Sequence, residues 1–362
     1  MRHRHTGFSL IELMVAVTLA MITGLVVLQV LANYQTRKLT TAGRNDAQVN
    51  AALGMYTIER EVRMAGAGLT APSGMLCEVG VNMAYNSVIK MNGAAMQPLR
   101  IVDGGALPDR LEILRSNSNF GAAPTTLLQS MISTTSTLTV DGSAGFARGD
   151  IMLVGSADGT KVCTIMQVSG DPVANGSGWD LPHASGAYPY NPVDPSAVFT
   201  TPIKYDVRDL VVNLGTQGIR SIAVVCSDGA APSATNRCDL GWYDRYATVI
   251  NPTLAQIESI VPQVIEMQAQ YGVAPVGTQT VDTWVDASGG TWAAPTFTNA
   301  LRVKAIRIAL ITRGSREPTQ VSPATLTLWP GTTRTLTSAE RYYRYQVLSA
   351  VIPLINVIWA GV

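Results

Sequence analysis

The sequence predicts an α+β protein: one long N-terminal helix leading into a β-rich globular head. Three observations carry this. Residues 8–32 are apolar apart from a few small polar residues and a single charge, Glu12. No proline occurs before Pro72, and apolar residues keep recurring at helical spacing as far as Met64. After Gly68 the composition shifts to Gly, Ser, Thr, Asn and Pro between short apolar runs, the pattern of strands joined by turns.

The first of these elements is long enough to cross a membrane. The 25 residues from Phe8 to Ala32 rise about 37 Å as a helix, against a hydrocarbon core of about 30 Å. Arg2 and Arg4 precede the run, so the positive-inside rule keeps residues 1–7 in the cytoplasm and sends the rest outward. A secretory signal carries its small cleavage residue after the apolar stretch, whereas Gly7 stands before it. Glu12 is costly among lipid chains, at least ~2.5 kcal/mol on insertion scales, and marks a site that needs a partner.

Gly7-Phe8-Ser9-Leu10-Ile11-Glu12 resembles the class III signal of type IV pilins and type II secretion pseudopilins: a short basic leader, Gly before the cut, Phe after it, and Glu as the fifth mature residue. The resemblance implies that a prepilin peptidase cleaves between Gly7 and Phe8 and methylates the new amine of Phe8. It also implies a pilin layout: leader 1–7, transmembrane helix 8–32, periplasmic continuation of the helix 33–66, and β-rich periplasmic head 67–362. In that family the carboxylate at the position of Glu12 meets the Phe8-type amine of a neighbouring subunit. An unpaired buried charge is strongly unfavourable, so this pairing selects register and partner, which makes Glu12 an assembly device.

Beyond the membrane the helix is expected to continue to about Met64, roughly 85 Å in all. Val49, Ala52, Leu53 and Tyr56 form the expected core face, widened by Met55, Ile58 and Val62. Glu59, Arg60, Glu61 and Arg63 mark the expected wet side, Gly66-Ala67-Gly68 the stop, and Gly43 a weak point.

In the head, strands are expected over residues 110–115, 136–140, 150–154, 161–168, 197–205, 221–226 and 301–312. A short helix from Leu254 is expected to give way to a strand from about Gln263, with Ile265, Met267, Ala269 and Tyr271 inward and Glu266, Gln268 and Gln270 outward. Residues 170–195, rich in Pro and Gly, read as one long loop carrying a solvated His183. Four cysteines allow three disulfide connectivities in an oxidising compartment. Cys226 with Cys238, closing a short loop, and hence Cys77 with Cys163, is the favoured pairing; one bridge and two buried thiols is the alternative.

The 362 residues carry a formal charge of +1, and without Arg2 and Arg4 the side chains total −1, which argues against nucleic acid as a partner. No HExxH, GxSxG or P-loop pattern occurs, so no catalytic residues and no cofactor are expected. Asp282 and Asp286 offer oxygen ligands, but without the spacing of a calcium loop they read as turn residues, and no metal site is expected. Residues 56–66, 264–273, 303–313, 342–347 and 351–354 are similar to PilW-type minor pilins, and several are shared with the J-type pseudopilin of type II secretion. The resemblance implies a minor pilin that initiates type IV pilus assembly and sits at or near the tip, supporting adhesion and twitching motility. Its partners would be other minor pilins, the major pilin, a tip adhesin and the inner-membrane assembly platform. The head would lie in the periplasm before assembly and on the cell-surface pilus afterwards. The alternatives are a pseudopilin, or a signal-anchored periplasmic binding protein or enzyme.

Overall fold

The computed structural model describes residues 9–71, 74–118, 123–143, 145–244, 246 and 252–360, with the backbone alone at 33, 36, 37, 39, 40 and 42. A single helix, α1, spans Leu10–Met64, 55 residues, about 83 Å at 1.5 Å per residue. It ends where expected: Gly66 and Gly68 take φ of +79° and +82°, which only glycine adopts readily. Asn356, from the C-terminal segment, donates its Nδ2 to the carbonyls of Arg63 (3.3 Å) and Ala65 (3.0 Å), partnering acceptors that a helix end leaves open.

The second half of α1 lies on an antiparallel four-stranded sheet with the order Thr283–Val285, Val264–Val273, Val303–Arg316, Tyr343–Pro353. The buried stripe of the helix is Ala47, Ala51, Gly54, Met55, Ile58, Glu61, Val62 and Ala65, at intervals of three and four. Small residues lead this stripe and let the helix come close to the sheet. A Cβ on Gly54 would meet Leu310 at 3.2 Å, and Thr312 Oγ1 donates to Ala47 O at 2.7 Å. At Gly43 the helix runs unbroken rather than weakening: a Cβ there would stand 2.9 Å from the Ser315 nitrogen, so the glycine is a point of close approach.

Two further sheets complete the main body. One has five antiparallel strands in the order Glu258–Pro262, Cys238–Tyr243, Ile219–Cys226, Arg110–Leu114, Leu99–Val102. The other has six, in the order Val88–Ala94, Val81–Tyr85, Cys163–Gln167, Ile151–Gly155, Leu210–Gly215, Thr125–Thr126. The pairing of Cys163–Gln167 with Val81–Tyr85 is parallel. One core cluster joins α1 to all three sheets, with Ile58, Val62, Ile101, Leu111, Leu153, Ile165, Met267 and Ile308 among its members.

Several expectations for the head are corrected. Residues 197–205 are not a strand: a short helix, Pro195–Val198, started by Asp194 accepting the Ser196 N–H, ends at Phe199. Residues 170–195 are not one loop, because Val173–Asn175 and Gly178–Leu181 form a hairpin paired with Leu138–Val140. The helix at Leu254 is a single turn, Leu254–Gln256, and Pro262 closes an edge strand rather than preceding the first one. On Val264–Val273 the face assigned to solvent is buried too. The hairpin Thr325–Trp329/Thr332–Thr335 lies near it and supplies Arg334 to Glu266 at 3.1 Å, and a bulge after Val264 moves Ile265 into a second apolar cluster with Ala309, Ile311, Leu328 and Trp329.

Candidate assembly surface

Gly7 and Phe8, the expected cleavage and methylation positions, lie outside the described residues. Glu12 sits in the first turn of α1, and its Oε2 accepts the Ser9 N–H at 3.3 Å. This places the carboxylate at the positive end of the helix dipole. From Leu10 to Ala32, 23 residues in length, no side chain is buried by the rest of the protein. Glu12 is the one charge in that stretch. An apolar cylinder about 35 Å long matches the thickness of a bilayer core, and no part of the head competes for it.

Past the membrane stretch, α1 has two apolar faces rather than one. The residues expected in the core, Val49, Ala52, Leu53 and Tyr56, are exposed; Val49, Leu53 and Tyr56 are 62%, 47% and 63% accessible. Their spacing is helical, but the stripe they form lies about half a turn away from Met55, Ile58 and Val62, which do face the sheet. Periodicity alone identifies an apolar stripe and does not say which of two stripes the head covers.

Glu61 is the second correction on this helix. Its charged neighbours in sequence predict the wet side, but it is 2% exposed. Its Oε2 lies 2.6 Å from Arg115 Nη2 and 2.7 Å from Nε, and its Oε1 takes Arg60 Nη2 at 3.0 Å. Arg115 follows the strand Arg110–Leu114 and also donates to Ser116 O at 3.3 Å. The pair bolts the helix to the five-stranded sheet at a fixed rotation. A signal for it was present: Glu61 stands three residues after Ile58 and four before Ala65, inside the buried stripe.

The disulfides pair Cys226 with Cys238 and Cys77 with Cys163. The first closes the hairpin of Ile219–Cys226 and Cys238–Tyr243, whose loop Arg313 grips through Ser233 O (2.7 Å) and Asn236 O (2.6 Å). The second ties the segment after α1 to the six-stranded sheet.

His183 is buried rather than solvated, its Nε2 is 2.6 Å from Ser136 O, and burial holds its pKa below the usual value. Asp286 accepts from Gln270 Nε2, and Asp282 from Thr283 Oγ1 at 3.2 Å. Among the described residues no group of three or more His, Cys, Asp or Glu side chains is arranged to hold a metal ion. Burial pushes the Asp109 carboxyl up to about 7, although it accepts N–H groups from Gly104 (2.9 Å) and Ala269 (2.7 Å).

Residues 2–28 match the family model of the prokaryotic N-terminal methylation motif, and residues 240–356 match that of the type IV pilus-assembly protein W. No curated protein and no solved structure matches the chain. The second match spans the sheet on which α1 lies, from Val264–Val273 through Tyr343–Pro353. Together, a methylation motif on an unpartnered apolar helix and a pilus-assembly match over the sheet beneath that helix support a PilW-like type IV pilin as the family of this chain.

Proposed function

We propose that the protein is a minor pilin that joins a small initiating complex of the type IV pilus at the inner membrane. It then sits at or near the tip, where it supports adhesion and twitching motility. The observation that carries this reading is the uncovered apolar surface of α1, which runs from Leu10 to Ala32 and returns as Val49, Leu53 and Tyr56 on the side away from the head. Such a surface satisfies itself in lipid and then against other helices. On this reading prepilin peptidase removes residues 1–7 and methylates Phe8. Residues 8–32 then span the membrane, 33–66 continue the helix in the periplasm, and 67–362 form the head. The partners are other minor pilins, the major pilin, a tip adhesin and the assembly platform. Pilin-family domains mark a structural rather than an enzymatic protein.

The test separates assembly from anchoring. Mass spectrometry of membrane-extracted protein should find a methylated N-terminus at Phe8. Glu12→Ala should still be inserted and cleaved, since removing a charge eases insertion. It should nonetheless fail to co-purify other minor pilins and leave cells without normal pili at equal protein level. Parent-like assembly by Glu12→Ala, or an intact Met1, would overturn the proposal.

A further inference from the structure

Where the six-stranded and five-stranded sheets meet, a cleft of about 700 Å³ opens, within the range that takes a sizeable ligand. No residue of α1 lines it, so it stands apart from the helix surface described above. Its floor is apolar and buried at Val81, Met83, Met96 and Ile165. Methionine side chains are unbranched and polarizable and adapt to varied apolar partners.

One wall is the strand Val88–Ala94, which ends the six-stranded sheet and has no further strand beside it among the described residues. Ile89, Lys90 and Met91 are consecutive, yet all three line the cleft. Lys90 is the extra residue of a β-bulge between the pairs Met83–Met91 and Ala84–Ile89, which breaks the alternation of side chains and lets three in a row border one space beside the strand. Tyr85 and Val88 close a two-residue turn in which Asn86 and Ser87 have φ of +50° and +60°. In such a hairpin the closing pair bond each other, and the N–H and C=O of the next residue, Ile89, point outward to the free edge. That edge is apolar as well, with Val88 and Ile89 56% and 49% exposed. Natural edges of this kind are normally blunted or covered.

The polar groups around the cleft indicate what fits. Gln97 donates from Nε2 to Pro295 O at 3.3 Å while its Oε1 has no hydrogen-bond partner among the described residues, an acceptor suited to an incoming N–H. Glu112 serves two guanidinium groups, Arg100 at 3.3 Å and Arg110 at 3.2 Å, and Lys90 has no ion pair among the described residues. Arg110 lies outside the lining, so the charged residues that border the cleft are Lys90, Arg100 and Glu112, a net of one positive charge. We infer that this cleft takes an extended segment of a partner protein as an added strand on Val88–Ala94, with alternate apolar side chains on the methionine floor and an acidic residue beside Lys90 and Arg100. The free edge supplies backbone hydrogen bonds and the floor supplies selection among side chains. A lipid-like amphiphile would use the floor but leave the edge unpaired.

The experiment uses the full chain in lipid nanodiscs and seven-residue peptides that alternate valine with threonine and end in aspartate, with lysine-ended peptides as the comparison. The aspartate-ended peptides should bind saturably and about tenfold more tightly than the lysine-ended ones. Hydrogen exchange should slow at the amides of residues 88–92 when they bind. Ile89→Pro removes the outward N–H at an edge position where proline is tolerated, and should weaken binding by about tenfold or more with the melting temperature unchanged. Ile89→Ser keeps the N–H and should lose less. Absence of saturable binding below about 1 mM, unaltered exchange at 88–92, parent-like binding by Ile89→Pro, or occupation of the cleft by dodecanoate but not by the peptides would overturn the inference. None of these outcomes depends on the Glu12 assay, so the two can fail separately.

Discussion

Replacing Glu61 with alanine tests how the head is held to its helix. The carboxylate is buried and bridges Arg115, which is itself 10% exposed at the side chain, and Arg60, which is 58% exposed. Removing it leaves the Arg115 guanidinium in the interior with Ser116 O, at 3.3 Å, to accept from it. Breaking a buried pair from one side costs about 3–5 kcal/mol. For a body of this size that lowers the melting temperature by about 10 °C. Arg115→Ala should cost less, because Glu61 keeps Arg60 at 3.0 Å and that side chain reaches water. The double change Glu61→Leu with Arg115→Met should recover most of the loss, since well-packed apolar replacements of buried pairs are often neutral. The assay is denaturant unfolding of the full chain in detergent, followed by tryptophan fluorescence. A cost below about 1 kcal/mol for Glu61→Ala, the size of an exposed pair, would refute the reasoning. So would the reverse order of the two single variants.

Three further outcomes follow from the same structure. Tyr56→Ala and Leu53→Ala should shift stability by less than about 0.5 kcal/mol while weakening recovery of pilus partners, whereas Ile58→Ala should cost about 2–5 kcal/mol in unfolding. Removing Cys77–Cys163, which spans 86 residues, should destabilise by about 5 kcal/mol in the chain-entropy model, against about 3 for Cys226–Cys238, which spans 12; paired unfolding curves give the order. Burial holds the Asp109 carboxyl at about 7 against 3.8 for an unburied aspartate, so between these values the folded state holds a proton that the unfolded state releases. Its stabilising contribution is therefore full below about pH 4 and is lost as pH rises to about 7, by at most about 4 kcal/mol, and Asp109→Asn should flatten the unfolding midpoint over that window.

The N-terminal helix was legible because its signals are local. Its apolar run, the absence of proline and the Gly66–Gly68 stop each act within a few residues, and the helix ends at Met64 as they require. What could not be read locally was which stripe of that helix the head covers. Val49, Leu53 and Tyr56 are as apolar and as regularly spaced as Met55, Ile58 and Val62, and only long-range pairing of the Val303–Arg316 strand separates the two. The same limit explains the head. Strands with strong apolar cores, such as Ile151–Gly155 and Val303–Arg316, fall close to their expected places. Val88–Ala94, exposed except at the half-buried Met91 and Ala94 and containing Gly93, gave no such signal, nor did Glu258–Pro262 at an edge. Arg115 could be paired with Glu61 only by bringing together residues 54 apart.

The unbroken run of α1 from Leu10 to Met64 has a mechanical consequence. With Gly43 pressed against Ser315 and Glu61 bolted to Arg115, the head cannot swivel about the helix axis independently of the membrane stretch. The azimuth at which Glu12 points and the azimuth at which the head presents its outer surfaces are thus phase-locked by one rod. Each residue of an α-helix turns that rod by about 100°. A single alanine inserted between Ala32 and Gly43 would leave both ends intact and rotate one against the other by nearly a third of a circle. The two ends are like the bit and the bow of a key, set at one fixed angle to each other.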